Sequence, residues 1–301
     1  MERSVTSTPV GSQSGSPVYR SYDRAELDRQ YNNRRRFPRY KEVFEAWQSW
    51  SAATRTKLAV KPDVAYGLQA TERLDIFPAE RAPAPIYVFL HGGYWQSLDK
   101  SDYSFIAEGM VPNGVMTVVP NFALAPHHGM DEIVRQNRSV IDWLWRRARE
   151  FGGDPSRIYV GGHSAGGHLA TMLLATEWPS FAPGLPERLV KGACAISALF
   201  DMEPIRLSYL NDTLGMSKEV SERNNPLLQR YPVAAPLMIV LGDDESEEYY
   251  RQVVAMASCW GKLGYPLEVR LENGRDHFDV VDDLRQPAAD LVRAQLRHFT
   301  Q

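Results

Sequence analysis

The sequence predicts an α/β protein: a mostly parallel central sheet covered by helices on both faces. Three observations carry this. Apolar runs of strand length alternate with segments of helical periodicity. Several of those runs, such as APIYVFL at 84–90 and APLMIVLG at 235–242, are apolar throughout rather than alternating, the mark of strands buried on both faces. At 301 residues the chain is long enough for one large core.

Along the chain, ERLDIFPA (72–79) reads as an early edge strand. APIYVFL follows, ending at His91, and then GVMTVVP (114–120). Residues 130–150 are strongly helical, with Ile133, Val140, Ile141 and Leu144 on one face. RIYVGG (157–162) is a short buried strand before the small-residue helix AGGHLATMLLATE. Further strands fit 190–200, 235–242 and 265–272, and helices fit 246–263 and 285–299. Ahead of all this, residues 21–58 read as two helices interrupted near Pro38, with Tyr31, Phe44, Trp47 and Trp50 as a packing stripe. No strand precedes them, so they form an N-terminal helical cap (19–60). Residues 1–18, rich in Ser, Thr, Gly and Pro, read as a disordered tail. One domain then spans 19–301, with 176–230 as an insertion over the active site.

Composition narrows the function. A net charge of −3 argues against a nucleic-acid partner, and the basic run RRR at 34–36 reads as a solvated helix face. Cys194 and Cys259 read as free thiols in a reducing cytoplasm. No run of 18 apolar residues marks a membrane span, and the N-terminus lacks the apolar stretch of a signal peptide. A homodimer is the prior for a soluble enzyme of this size.

Chemistry concentrates in three places. Gly162-His163-Ser164-Ala165-Gly166 fits G-x-S-x-G between a short strand and a helix, a turn that exposes a nucleophilic serine on strained backbone. The N-terminus of the following helix aims its unpaired N–H groups at charge forming beside Ser164. The flanking histidines suit the base poorly. His163 is expected on the opposite strand face and His168 four residues down the helix, both as packing or supporting residues. VFLHGGYW (88–95) ends a strand in His-Gly-Gly. N–H groups of Gly92, Gly93 or Tyr94, with that of Ala165, could hold an oxyanion. His91 is expected to brace that loop, and Tyr94 and Trp95 to wall an aromatic pocket. His277, in a loop between the last strand and the last helix, fits the base.

An α/β-hydrolase orders its triad serine, acid, histidine, so the acid lies between 164 and 277 in a loop after a strand. LGDDESEEYY (241–250) is that loop, with five carboxylates in six positions. Repulsion and desolvation forbid burying all five. Most are expected in solvent, with Glu247 and Glu248 opening the helix. Local logic leaves Asp243, Asp244 and Glu245 open as the inward-turned acid.

HGGYW, GHSAGGHLA, GDDESEEYYRQ and DHFDVV together resemble the arylformamidase (kynurenine formamidase) branch of the α/β-hydrolases, as do YDRAELDRQYNNR and LAPHHGMDEIVRQNRSVIDWL. The resemblance spans most of the chain from about residue 19. In that branch the acid stands three residues past the strand-terminal glycine, which selects Glu245, with Asp244 second; many members carry Asp there. The resemblance implies an α/β-hydrolase fold and cleavage of N-formyl-L-kynurenine to kynurenine and formate. It implies no cofactor. A metal-dependent type of formamidase would need a His/Asp cluster, and HH at 127–128 has no carboxylate motif beside it. Two alternatives stand beside it. One is a carboxylesterase or amidase acting on small aryl esters, anilides or carbamates. The other is a non-catalytic binding relative, which would lack the serine, the histidine or the oxyanion glycines.

Overall fold

The structure, a computed structural model, describes residues 15–298. Residues 1–14 of the proposed tail therefore lie outside the described residues, and Gly15 and Val18 hydrogen-bond to Asp23 and Tyr22. In chain order the elements are α1 (Arg24–Tyr31), α2 (Asn33–Arg36), α3 (Tyr40–Lys57), β1 (Lys61–Ala65), β2 (Arg73–Phe77), β3 (Ala84–Leu90), α4 (Ala107–Met110) and β4 (Met116–Pro120). There follow α5 (Met130–Arg147), β5 (Gly153–His163), α6 (Ala165–Leu174), α7 (Trp178–Phe181), β6 (Val190–Ile196), α8 (Glu203–Leu207), α9 (Asn211–Leu214) and α10 (Lys218–Arg223). The chain continues with β7 (Leu237–Gly242), α11 (Glu247–Leu263), β8 (Leu267–Glu272) and α12 (Asp290–His298).

The eight strands form one sheet in the order β1-β2-β4-β3-β5-β6-β7-β8. β1 pairs antiparallel with β2, and β2 antiparallel with β4; every later pairing is parallel. Because side chains alternate across a strand, each central strand feeds two cores. Ile86, Val88 and Leu90 of β3 join Leu237, Ile239 and Leu241 of β7 on one face, beneath Ile133, Ile141, Leu169 and Met256 from α5, α6 and α11. Tyr87, Phe89, Met238 and Val240 face the other way, against Trp47, Met110 and Val292 from α3, α4 and α12. Two-sided burial explains the continuous apolar runs. Among the described residues no helix is long and apolar enough to cross a membrane.

The structure corrects four details of the sequence reading. β2 is interior, and the edge belongs to β1, whose KPDVA carries a proline tolerated only at an edge and little β propensity. The cap has a second break, at Asn32, whose side chain accepts from the Arg35 N–H and starts α2 anew. Around Pro287 the last helix is delayed: a 3₁₀ segment covers Asp279–Arg285 and α12 begins at Asp290. Lastly, 176–230 is not one insertion, since it contains β6, a strand in the middle of the sheet. Only the stretch between β6 and β7 is irregular, built of α8–α10 and a 3₁₀ turn at Pro226–Leu228.

Candidate active site

The site is assembled at the C-terminal ends of the parallel strands, where open α/β sheets form their crevice. β5 runs into Ser164, which takes φ 56° and ψ −117° before α6 begins. A non-glycine residue held at such angles stores strain that the surroundings must impose. Crowding supplies the constraint. A Cβ on Gly166 would sit 1.9 Å from the Leu90 carbonyl oxygen, and one on Gly162 would sit 2.4 Å from Gly166 itself. Glycine at both positions lets α6 start against the end of β3.

Ser164, His277 and Glu245 form one hydrogen-bonded chain. His277 Nε2 lies 3.1 Å from Ser164 Oγ, and Nδ1 lies 2.8 Å from Glu245 Oε2. All three residues are buried, at 2%, 2% and 5% exposure. Glu245 Oε1 accepts from the Gly242 N–H at 3.1 Å and from the Ser197 hydroxyl. Its burial is thus compensated by three donors. Ser197, just past β6 with φ 48°, was not singled out by the sequence reading. Its partner is 48 positions away, so no local pattern announces it.

The other four acids of the run divide differently from expectation. Asp243 accepts from the Gly274 N–H at 2.7 Å, and exposed Asp244 faces Arg36 at 3.7 Å. Glu247 is exposed at the start of α11. Glu248, expected in solvent, is 1% exposed, because Arg251 (2.9 Å) and the Tyr31 hydroxyl (2.8 Å) satisfy it inside the cap contact.

The HGGYW loop turns on left-handed backbone at Gly93 (φ 104°), Tyr94 (φ 52°) and Trp95 (φ 58°). At Gly93 this conformation requires glycine, since a Cβ would lie 2.1 Å from the Ser97 carbonyl oxygen. Gly93 and Tyr94 line the cavity beside Ser164. Ala165 follows Ser164 as the first residue of α6, where a helix leaves its N–H groups unbonded. Gly92 differs: its backbone hydrogen-bonds the Tyr103 hydroxyl, and it does not line the cavity. Trp95 also departs from expectation. It is fully buried with its ring edge-on to His168 at 5.0 Å, and it belongs to the core rather than the cavity.

The remaining histidines have supporting contacts. His91 stacks on Phe122 at 4.2 Å, with Nδ1 2.8 Å from the Gly92 carbonyl oxygen. His168 Nε2 lies 2.7 Å from the Asn224 carbonyl oxygen. His163 lines the cavity after all, but its Nε2 lies 2.7 Å from the His277 carbonyl oxygen and its Nδ1 3.2 Å from the Tyr103 hydroxyl. It braces the His277 backbone rather than reaching the serine. Burial first, and then the neighbouring His277 ring, depresses the His163 pKa to about 3; burial depresses His168 to about 4.

Both rings are therefore neutral when folded, and each binds a proton far more readily once unfolded. Between pH 6.5 and about 4 the unfolded chain holds more protons, so stability falls as pH falls, by up to about 1.4 kcal/mol per pH unit for each ring. Thermal unfolding of His168→Gln across that range is expected to show a slope shallower by about one proton. An unchanged slope would contradict the assignment.

The cavity around Ser164 has a volume of about 410 Å³, in the range of small-molecule sites. The cap contributes Asn33, Arg34, Phe44 and Trp47 to its wall, and the loop before α9 contributes Tyr209 and Leu210. Two residues here escaped the sequence reading. Asn33 Nδ2 donates to the hydroxyls of Tyr94 (3.1 Å) and Tyr249 (2.9 Å). Tyr249 stacks obliquely on His277 at 4.8 Å, and its hydroxyl also contacts the Ser164 side chain.

Comparison with known proteins agrees with this architecture. A family model described as BD-FAE matches residues 74–182. The kynurenine formamidase of Danio rerio is 30% identical over 280 residues, covering 88% of this chain and 93% of its own. That of Salmo salar is 33% identical over 74% of this chain and 76% of its own. Among solved structures, a protein from Silicibacter sp. provisionally described as a thioesterase superposes with a TM-score of 0.79 at 26% identity, over 89% of this chain and 98% of its own. The carboxylesterase EstE1 superposes at 0.68 with 20% identity, over 87% and 96%, a likeness of fold alone. The chain is a hydrolase of the α/β-hydrolase fold and belongs to the kynurenine formamidase family.

Proposed function

We propose that the protein hydrolyses aryl formamides such as N-formyl-L-kynurenine, releasing the aromatic amine and formate through a formyl-enzyme on Ser164. The observation that carries this reading is the buried chain Ser164–His277–Glu245 opening onto a cavity of about 410 Å³ in a member of this family.

In the proposed mechanism Glu245 holds the proton of His277 on Nδ1, leaving Nε2 free to accept. His277 Nε2 takes the Ser164 proton as Oγ attacks the formyl carbon. The N–H groups of Gly93, Tyr94 and Ala165 stabilise the tetrahedral oxyanion, each worth about 100- to 1000-fold in rate. As the C–N bond breaks, the proton on Nε2 passes to the departing aryl nitrogen. A water molecule then gives a proton to His277 Nε2 as its oxygen attacks the formyl carbon of the ester. Formate leaves, and the proton returns to Ser164 Oγ.

Esters would pass through the same steps, because specificity resides in the pocket rather than in the nucleophile. Steady-state kinetics on N-formyl-L-kynurenine, a short-chain aryl ester and an aryl acetamide test the substrate assignment. The expected result is a kcat/KM for the formamide at least ten times that for either other substrate. Faster ester turnover with little formamide hydrolysis would replace the assignment by an esterase.

A further inference from the structure

Among the described residues Arg34 is the one Lys, Arg, Asp or Glu side chain on the wall of the cavity that holds Ser164. It lies in the short α2, in the basic run that the sequence analysis assigned to solvent. The three arginines are not equivalent. Arg36 donates to the backbone carbonyls of Asp244 (3.4 Å) and Glu245 (3.2 Å) and faces the Asp244 carboxylate, so it clamps the acid loop. Arg34 turns the other way. Its guanidinium sits 5.6 Å from the Tyr40 ring centre and 6.0 Å from that of Phe44, and Nη2 reaches the Ser97 hydroxyl at 3.4 Å. Among the described residues no carboxylate pairs with it, whereas Arg36, two positions on, faces Asp244.

A guanidinium carries five N–H donors in a planar fork suited to a carboxylate. Here two aromatic faces and a hydroxyl fix the fork at the lip of the cavity, and most of its donors remain unused. We infer that Arg34 binds the carboxylate of an amino-acid-bearing aryl formamide and thereby directs the formamide end of the substrate toward Ser164. This rests on the proposed function and deepens it, because it assigns a residue of this chain to the carboxylate end of the substrate.

The test compares Arg34→Gln with the wild-type enzyme on N-formyl-L-kynurenine and on the same aryl ketone lacking the α-carboxylate. A charge-assisted hydrogen-bonded pair corresponds to roughly a 10- to 100-fold effect on affinity. KM for the carboxylate substrate is expected to rise by that factor, with kcat changed less than about threefold. Turnover of the carboxylate-free analogue should barely change, and Arg34→Lys should recover part of the loss. Equal losses on both substrates would mean that Arg34 only props up α2, and would overturn the inference. So would no loss on either. If the wild-type enzyme instead prefers aryl esters, the proposed function fails, yet the same comparison on an aryl ester with and without a carboxylate still decides the role of Arg34.

Discussion

Glu245→Gln is expected to lower kcat/KM by about 10⁴-fold while leaving the fold intact. Three donors surround this carboxylate. Oε1 faces the Ser197 hydroxyl and the Gly242 N–H, and Oε2 faces His277 Nδ1. An amide has one acceptor oxygen. Placed toward Ser197 and Gly242, it presents its NH₂ to His277, which must then accept on Nδ1 and carry its proton on Nε2. That tautomer cannot take the proton of Ser164, and in triads of this kind the change costs about 10⁴-fold. Placed the other way, the NH₂ meets the Gly242 N–H, and two buried donors face each other. Glu245→Asp restores the charge but is shorter by one methylene, so it should lie between Gln and wild type. Kinetics with a thermal melt on each variant check this. A Gln variant keeping more than a tenth of wild-type kcat/KM would place the acid elsewhere, with exposed Asp244 the next candidate.

Ser164→Ala is expected to reduce hydrolysis by roughly 10⁴- to 10⁶-fold, the scale reached when a triad nucleophile is removed. Binding of the aromatic product should survive, because the rest of the cavity wall is untouched. A companion variant separates chemistry from stability. Ser164 sits at φ 56°, where glycine is unstrained, so Ser164→Gly should be equally inactive yet more stable by about 1 kcal/mol. Denaturant unfolding of the two variants beside wild type measures this. A Gly variant less stable than Ala would mean that the elbow is not strained.

These expectations also show what the residues made legible and what they did not. β3, β5 and β7 could be read from their apolar runs because burial on both faces leaves no polar alternation to confuse the pattern. The serine elbow was readable because its glycines, strand and helix are contiguous. The acid was not readable locally. Asp243, Asp244 and Glu245 share one loop, and only the turn of the backbone past Gly242 sends the third inward, against Ser197 and His277. Ser197, Asn33 and Tyr249 were silent for a related reason: their partners stand tens to hundreds of positions away, as in the Asn33–Tyr249 contact across 216 residues. β1 escaped because its pairing, not its composition, makes it a strand. The aromatic character of Trp95 misled, since the left-handed turn through Gly93 and Tyr94 rotates that ring into the core.

Formamide hydrolysis through the Ser164 oxygen requires that blocking this one atom abolish turnover. Titration with an arylsulfonyl fluoride, read by intact mass, peptide mapping and residual turnover of N-formyl-L-kynurenine, tests it most directly. One adduct per chain is expected, on the peptide bearing Ser164, with activity falling in proportion to labelling and no adduct in Ser164→Ala. Formamide turnover that survives complete labelling of Ser164 would contradict it.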